Sequence, residues 1–279
     1  MTTADVARAP ISLTMGDGRT LTFSVGVRSP RRAGFVLSLR KSGSSLFSNL
    51  VSAISTHNGI PVIDIPGAMF ENGYRYTDWN SHPQLRDLLW KGNTYIGFRD
   101  PPTSFFGDPV FEQAPKLLLV RDPRDVLVSE YFSNAFSHSM PKAEAEGSVL
   151  AKERQRALQT SVEEYVMSRI GALNQTVDGY RRLLGAPNLK ILRYEDVIFD
   201  KPAWCRTIAE FLGMQAPQTL IDNIMTWADI VPDAENPKAF VRRVTPGDHK
   251  EKLSHDAIGR VNKRLNDVWR KLGYEIPAQ

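Results

Sequence analysis

Two stretches of this chain share one pattern: a short apolar run, a polar turn, then apolar residues at helical spacing. In the first, Gly34-Phe35-Val36-Leu37-Ser38-Leu39 gives way to Arg40-Lys41-Ser42-Gly43-Ser44-Ser45, after which Leu46, Phe47, Leu50, Val51 and Ile54 recur every three or four positions. In the second, Leu117-Leu118-Leu119-Val120 runs into Arg121-Asp122-Pro123 and then Val126, Leu127, Val128 and Tyr131. Pro123 suits a first helical turn, where its missing N–H costs nothing. Short apolar strands that alternate with helices are expected to lie parallel and to be covered on both faces. The fold class expected is therefore α/β, a central parallel sheet flanked by helices, with ligands at the carboxyl ends of the strands, where both polar turns fall.

The rest of the chain fits around these units. Tyr95-Ile96-Gly97-Phe98 reads as a further strand closed by Pro101 and Pro102, and Leu189 to Leu192 as another that leads into Arg193-Tyr194-Glu195-Asp196. Near the start, Ile11 and Leu13 alternate toward Gly16-Asp17-Gly18, and Leu21, Phe23 and Val25 alternate away from it, so an accessory hairpin is expected over 10–28. Residues 138–160 are polar and read as a mobile loop or exposed helix able to act as a lid. Ile258, Val261, Leu265, Val268, Trp269 and Leu272 form one stripe of a final helix over about 256–272.

Composition narrows the class. At 279 residues with 42% hydrophobic content, one domain over 1–279 is the default. The 35 basic and 31 acidic residues leave a net charge of +4, which suits an anionic small ligand and does not call for nucleic acid. The single cysteine, Cys205, allows no disulfide within the chain, and no Cys/His cluster has zinc spacing. The first ten residues lack the pattern of a secretory signal, and no apolar run is long enough for a bilayer, so a soluble, cytoplasmic protein is expected.

The loop Lys41-Ser42-Gly43-Ser44-Ser45 places backbone N–H groups, hydroxyls and an ammonium at the positive end of a helix dipole, which is an anion cradle. It is not a Walker A loop, because the lysine precedes a single glycine. A glycine- and serine-rich turn with a solvated lysine is the plainer alternative for these five residues alone. Here the chain resembles the sulfotransferase family, whose loop for the 5'-phosphosulfate of 3'-phosphoadenosine 5'-phosphosulfate (PAPS) reads Lys-Ser-Gly-Thr-Thr. Arg121 and Ser129, eight positions apart, match the family's hold on the 3'-phosphate. Phe240-Val241-Arg242-Arg243-Val244 followed by Gly247-Asp248-His249-Lys250 is similar to the family's C-terminal Arg-Lys-Gly and Gly-Asp-Trp-Lys, with Val244 for the glycine and His249 for the tryptophan. Tyr194 matches the tyrosine near the adenine, Trp227 is a second aromatic candidate for the base, and Leu46 stands where many members carry a tryptophan.

The resemblance, over about residues 35–274, implies a P-loop-like sulfotransferase fold. It also implies PAPS as donor, its product adenosine 3',5'-bisphosphate (PAP), a small-molecule acceptor and no metal. Arg40 and Lys41 through Ser45 would hold the 5' end, with Lys41 at the bridging oxygen. Arg121, Ser129, Arg242 and Arg243 would hold the 3'-phosphate. The pattern breaks where many members carry Lys-Thr-His-x-Pro, because this chain has Gly97-Phe98-Arg99-Asp100-Pro101. Arg99 cannot be a base near neutral pH, but it can steady the sulfuryl group. Asp100 is the nearest carboxylate for proton transfer, His138 a looser candidate, and His57 and His82 have no assigned place. Phe70, Tyr74, Tyr76, Trp79, Trp90, Phe105 and Phe106 either line an acceptor pocket or pack loops. The family's C-terminal dimer segment is not matched after Lys250, so a homodimer stays open. Two rival readings are a P-loop-type small-molecule kinase and a non-catalytic module that binds 3'-phosphonucleotides.

Overall fold

A computed structural model describes residues 7–27, 29–137, 144–239 and 241–275. Its sheet has five parallel strands in the order β4-β5-β3-β6-β7, with β3 (Gly34–Ser38) at the centre. On one side lie β5 (Thr94–Phe98) and the two-residue β4 (Val62–Ile63), and on the other β6 (Lys116–Val120) and β7 (Leu189–Arg193). The strand order changes direction at β3, and the crevice at such a point is where ligands of open α/β sheets bind.

The apolar runs are explained by burial on both faces. Because side chains alternate along a strand, Phe35 and Leu37 of β3 and Leu118 and Val120 of β6 join one core. Val36, Leu117 and Leu119 join the other, against Phe47, Leu50, Val51 and Ile54 of the helix Ser44–His57. The helices Lys201–Phe211 and Gln218–Ala228 complete that second layer, while Val162–Tyr180 and the C-terminal helices cover the first.

Two expectations are modified, and a third is met by one of its alternatives. The hairpin of β1 (Arg8–Thr14) and β2 (Thr20–Gly26) forms, but Leu13 and Val25 are fully buried in the same core as Phe35, so it is an integral part of the first layer. The last helix is two, His255–Arg264 and Asn266–Lys271, joined at Leu265. Of the polar stretch over 138–160, residues 144–158 form a helix, and 138–143, with His138, lie outside the described residues, as does Phe240. Among the described residues no helix is long and apolar enough to cross a membrane.

Candidate active site

The loop after β3 is shaped by two residues with left-handed backbone. Lys41 has φ 63° and Gly43 φ 88°, and for Lys41 this conformation costs on the order of 1–2 kcal/mol. Such strain persists only where the surroundings fix it. The fixing contacts are visible: Ser42 is fully buried and its hydroxyl donates to the carbonyls of Leu39 at 2.6 Å and Leu119 at 3.3 Å. The Ser42 side chain therefore faces inward and shapes the loop. Ser44 and Ser45 open the helix Ser44–His57, and Gly43 stands at its cap with no side-chain acceptor for the helix's first N–H groups. Those donors and the helix dipole remain for an anion.

Lys41 sits among cations. Its ammonium loses water on folding and feels Arg99, Arg121 and Arg242, with Glu130 acting in the other direction, and its pKa falls to about 8. Arg99 follows β5 and donates to Ser45 Oγ at 3.2 Å. Asp100, the sequence-derived candidate base, pairs instead with Arg40 at 2.7 Å, so that carboxylate and that guanidinium chiefly occupy each other.

The second cationic station begins at the end of β6. Arg121 is almost wholly buried, donates to the carbonyl of Lys41 at 3.4 Å and faces Asp125 at 3.5 Å. Its Nε is buried with no hydrogen-bond partner, which is costly unless a further acceptor is supplied. Ser129 lies two helical turns on, half-buried, and its hydroxyl makes no hydrogen bond among the described residues. Arg242 pairs with Glu235 and Asp248, and Arg243 with Glu251 at 2.5 Å and Asp248 at 3.5 Å. Both arginines reach this region, each already in the company of carboxylates.

Asp125 ties the two halves of this station together. It is fully buried and accepts from the backbone N–H groups of Gly247 at 2.7 Å and His249 at 3.0 Å, and pairs with His249 Nδ1 at 2.7 Å. Although burial works the other way, the His249 hydrogen bond, the Arg121 charge and the two N–H groups hold its carboxyl below the ordinary range. Replacement of the family's tryptophan by His249 thus provides the partner for a buried acid.

Tyr194 is a post rather than an open wall. It is 4% exposed, its hydroxyl donates to Val244 O at 2.9 Å, and the Arg121 guanidinium lies 4.6 Å above its ring. A Cβ on Gly43 would meet ring carbons of Tyr194 at 3.0 and 3.1 Å, which is why that position excludes a side chain. Val244 and Leu46, two departures from the family pattern, both pack against Tyr194 and Ile198 and so fill one apolar cluster together. Trp227 is 39% exposed near the end of Gln218–Ala228.

The aromatic stretch behaves mostly as packing. Phe105 is fully buried among Phe35, Phe98 and Phe111. Tyr74 donates to Asp17 of the hairpin at 2.7 Å, Tyr76 to Pro101 O at 2.6 Å, and Trp79 meets the Tyr76 ring edge-on. Phe106 meets Phe111, and Trp90 Nε1 donates to Asp87 O at 2.9 Å. The cavity beside this stretch, about 340 Å³, is lined by polar groups that include Asn80, His82, Arg86 and Thr103. His82 Nε2 lies 2.9 Å from Thr14 O, and His57 ends the helix that Ser44 begins, roughly 20 Å from the loop.

Sequence reasoning passed over Asp64. It follows β4, caps the helix Ile65–Glu71 by accepting from Gly67 N at 2.7 Å, and lies against the end of β5. There the ladder to β3 shifts register between Phe35 and Leu37, so β5 bulges, and Gly97 within the bulge has φ 86°. A Cβ on Gly97 would lie 2.1 Å from Asp64 Oδ1. The available signal was Val62-Ile63-Asp64-Ile65-Pro66, a third strand, polar residue and helix start, shortened by its prolines.

The fold is an α/β sheet whose switch-point crevice brings two groups of cationic side chains together at the carboxyl ends of β3 and β6. The sequence model of the sulfotransferase domain matches residues 32–273, and the chain belongs to that family. A 3-alpha-hydroxysteroid sulfotransferase of Cavia porcellus is 25% identical over 202 residues, which is 66% of this chain and 63% of that protein. The fold is also that of a mouse sulfotransferase solved with PAP, at TM-score 0.59 and 13% identity over 88% of this chain and 90% of that one. A retinol dehydratase solved with retinol and PAP superposes at TM-score 0.51 and 17% identity over 98% and 93% of the two chains.

Proposed function

We propose that this protein is a PAPS-dependent sulfotransferase that moves a sulfuryl group to a hydroxyl or amine of a small-molecule acceptor in the cytoplasm. The observation that carries the reading is the pair of stations at the carboxyl ends of β3 and β6, linked by the Arg121 hydrogen bond to Lys41 O. The second station offers the buried, unpartnered Arg121 Nε beside an open Ser129 hydroxyl, a donor set that fits a phosphate dianion. A nucleoside triphosphate bound through one phosphate chain has no use for it.

When bound, the donor supplies an activated sulfuryl group joined to a phosphate leaving group. The chain's own residues do the rest. The helix N–H groups with Ser44 and Ser45 orient the 5' end, and Lys41 places positive charge at the bridging oxygen, where negative charge grows. Arg99, held on Ser45, steadies the sulfuryl oxygens, while Arg121, Ser129, Arg242 and Arg243 secure the 3'-phosphate and Trp227 the base. The relatives named above, one a steroid sulfotransferase and one solved with retinol, support an acceptor that is a small hydroxylated molecule.

Titration with PAP and, separately, with ATP and magnesium tests the reading. A preference for PAP of tenfold or more is expected, and a preference for ATP refutes it in favour of a kinase. Preference for PAP without sulfate transfer to any phenol, alcohol or amine points to the binding module.

A further inference from the structure

The reading above leaves the acceptor's proton without a destination, since Arg99 is always charged and Asp100 is held by Arg40. The other carboxylates near the cradle are also engaged. Glu130 pairs with Arg169 at 2.7 Å, Asp122 with Arg124 at 2.7 Å, and Asp125 carries four partners. Asp64 differs. Oδ1 accepts from Gly67 N, whereas Oδ2 makes no hydrogen bond among the described residues.

Three features bring the Asp64 carboxylate to the reacting end of the sheet. Asp64 leaves β4 at the same end of the sheet as Arg99 leaves β5, because β4 and β5 run parallel with Val62 opposite Thr94 and Ile63 opposite Tyr95. The bulge at Gly97, a residue without a side chain, opens the place that the carboxylate takes, 2.1 Å from where a Cβ would stand. Arg99 joins the two sides: it donates to Ser45 of the cradle and its charge acts on Asp64.

Resting on the sulfotransferase reading, we propose that Asp64 is the general base of this protein. Asp64 takes the proton of the acceptor hydroxyl as that oxygen bonds to sulfur. The sulfur–oxygen bond to the phosphate breaks in the same step, and its electron pair leaves with PAP. The products are the sulfate ester, PAP and a protonated Asp64, which returns its proton to water.

The setting favours the role. The residue is exposed, and partial loss of the water around its carboxyl raises its proton affinity above that of an ordinary aspartate. The opposing influences are the Gly67 N–H from the helix Ile65–Glu71 and the Arg99 charge from the turn after β5. A carboxylate so raised is a stronger base than an ordinary aspartate.

Asp64→Asn separates this role from that of a helix cap, because asparagine caps equally well. With phenol acceptors, D64N should lower kcat by about 10²- to 10⁴-fold while the Kd for PAP and the unfolding midpoint stay unchanged. The acid limb of the wild-type pH–rate profile should disappear, and the deficit should shrink as the phenol becomes more acidic. In an active wild type, a D64N that keeps both the rate and the acid limb overturns the assignment alone. A wild-type chain that binds PAP and sulfates no acceptor overturns the activity reading and this assignment with it.

Discussion

Binding of PAP should draw a proton onto Lys41. The free amine is lowered from 10.5 to about 8 by loss of water and by the charges of Arg99, Arg121 and Arg242. That displacement corresponds to about 3 kcal/mol in favour of the neutral amine. At pH 8.5 about three-quarters of the chains carry a neutral Lys41, and at pH 7 about a tenth. A phosphate beside the amine favours the charged form, and the ligand's own phosphates are fully ionised at pH 8.5, so uptake should be about 0.7 proton there and about 0.1 at pH 7. Calorimetry of PAP binding in two buffers of different ionisation enthalpy reads this number directly. The sign for stability follows from the same displacement. The folded chain binds fewer protons than the unfolded one between about pH 8 and 10.5, so the contribution of Lys41 is fully present above that window and is lost as pH falls through it. Lys41→Met should therefore abolish the uptake and turnover and yet melt higher than wild type at pH 7, by at most about 3 kcal/mol. Absence of uptake at pH 8.5, or uptake that persists in K41M, refutes the reasoning.

Gly43→Ala combines a left-handed backbone with a clash against the Tyr194 ring, and should cost about 1–3 kcal/mol in thermal or urea unfolding and weaken PAP binding as the loop shifts. Asp125→Asn keeps the shape of the side chain but removes the charge facing Arg121 and His249. It should destabilise the fold by about 3–5 kcal/mol at pH 7. In the wild type, Asp125 is held below its ordinary 3.8, so its contribution is present above that value and is lost as pH falls below it. D125N should flatten that acid limb of the unfolding curve, and an unchanged limb would show that the acid sensitivity lies elsewhere.

The strands β3, β5 and β6, and the cradle between Arg40 and Ser45, were legible because burial on both faces leaves little choice of residue and anion binding scarcely more. β4 was not, because two residues between Pro61 and Pro66 carry no periodicity, and with it Asp64 was lost. The hairpin seemed accessory because alternation says which side is apolar but not what covers it. Tyr194 shows a further limit: its match located the residue, whereas its burial under Arg121 and over Gly43 depends on contacts 73 and 151 positions away. Pairing of Arg242 and Arg243 with Glu235, Asp248 and Glu251 is equally tertiary, since no spacing rule governs an irregular loop.

Those pairings imply a particular kind of selectivity for the proposed nucleotide site. Arg242 and Arg243, proposed with Arg121 for the 3'-phosphate, are already paired with the protein's own carboxylates, so at these two residues an arriving ligand exchanges one anion for another. A singly charged metabolite offers nothing the resident acids do not. A phosphate dianion brings more charge and more acceptor oxygens than any one of the three resident carboxylates, and can win the exchange. The chain thus carries its own competitor, and the threshold for entry is set by how far a guest exceeds it.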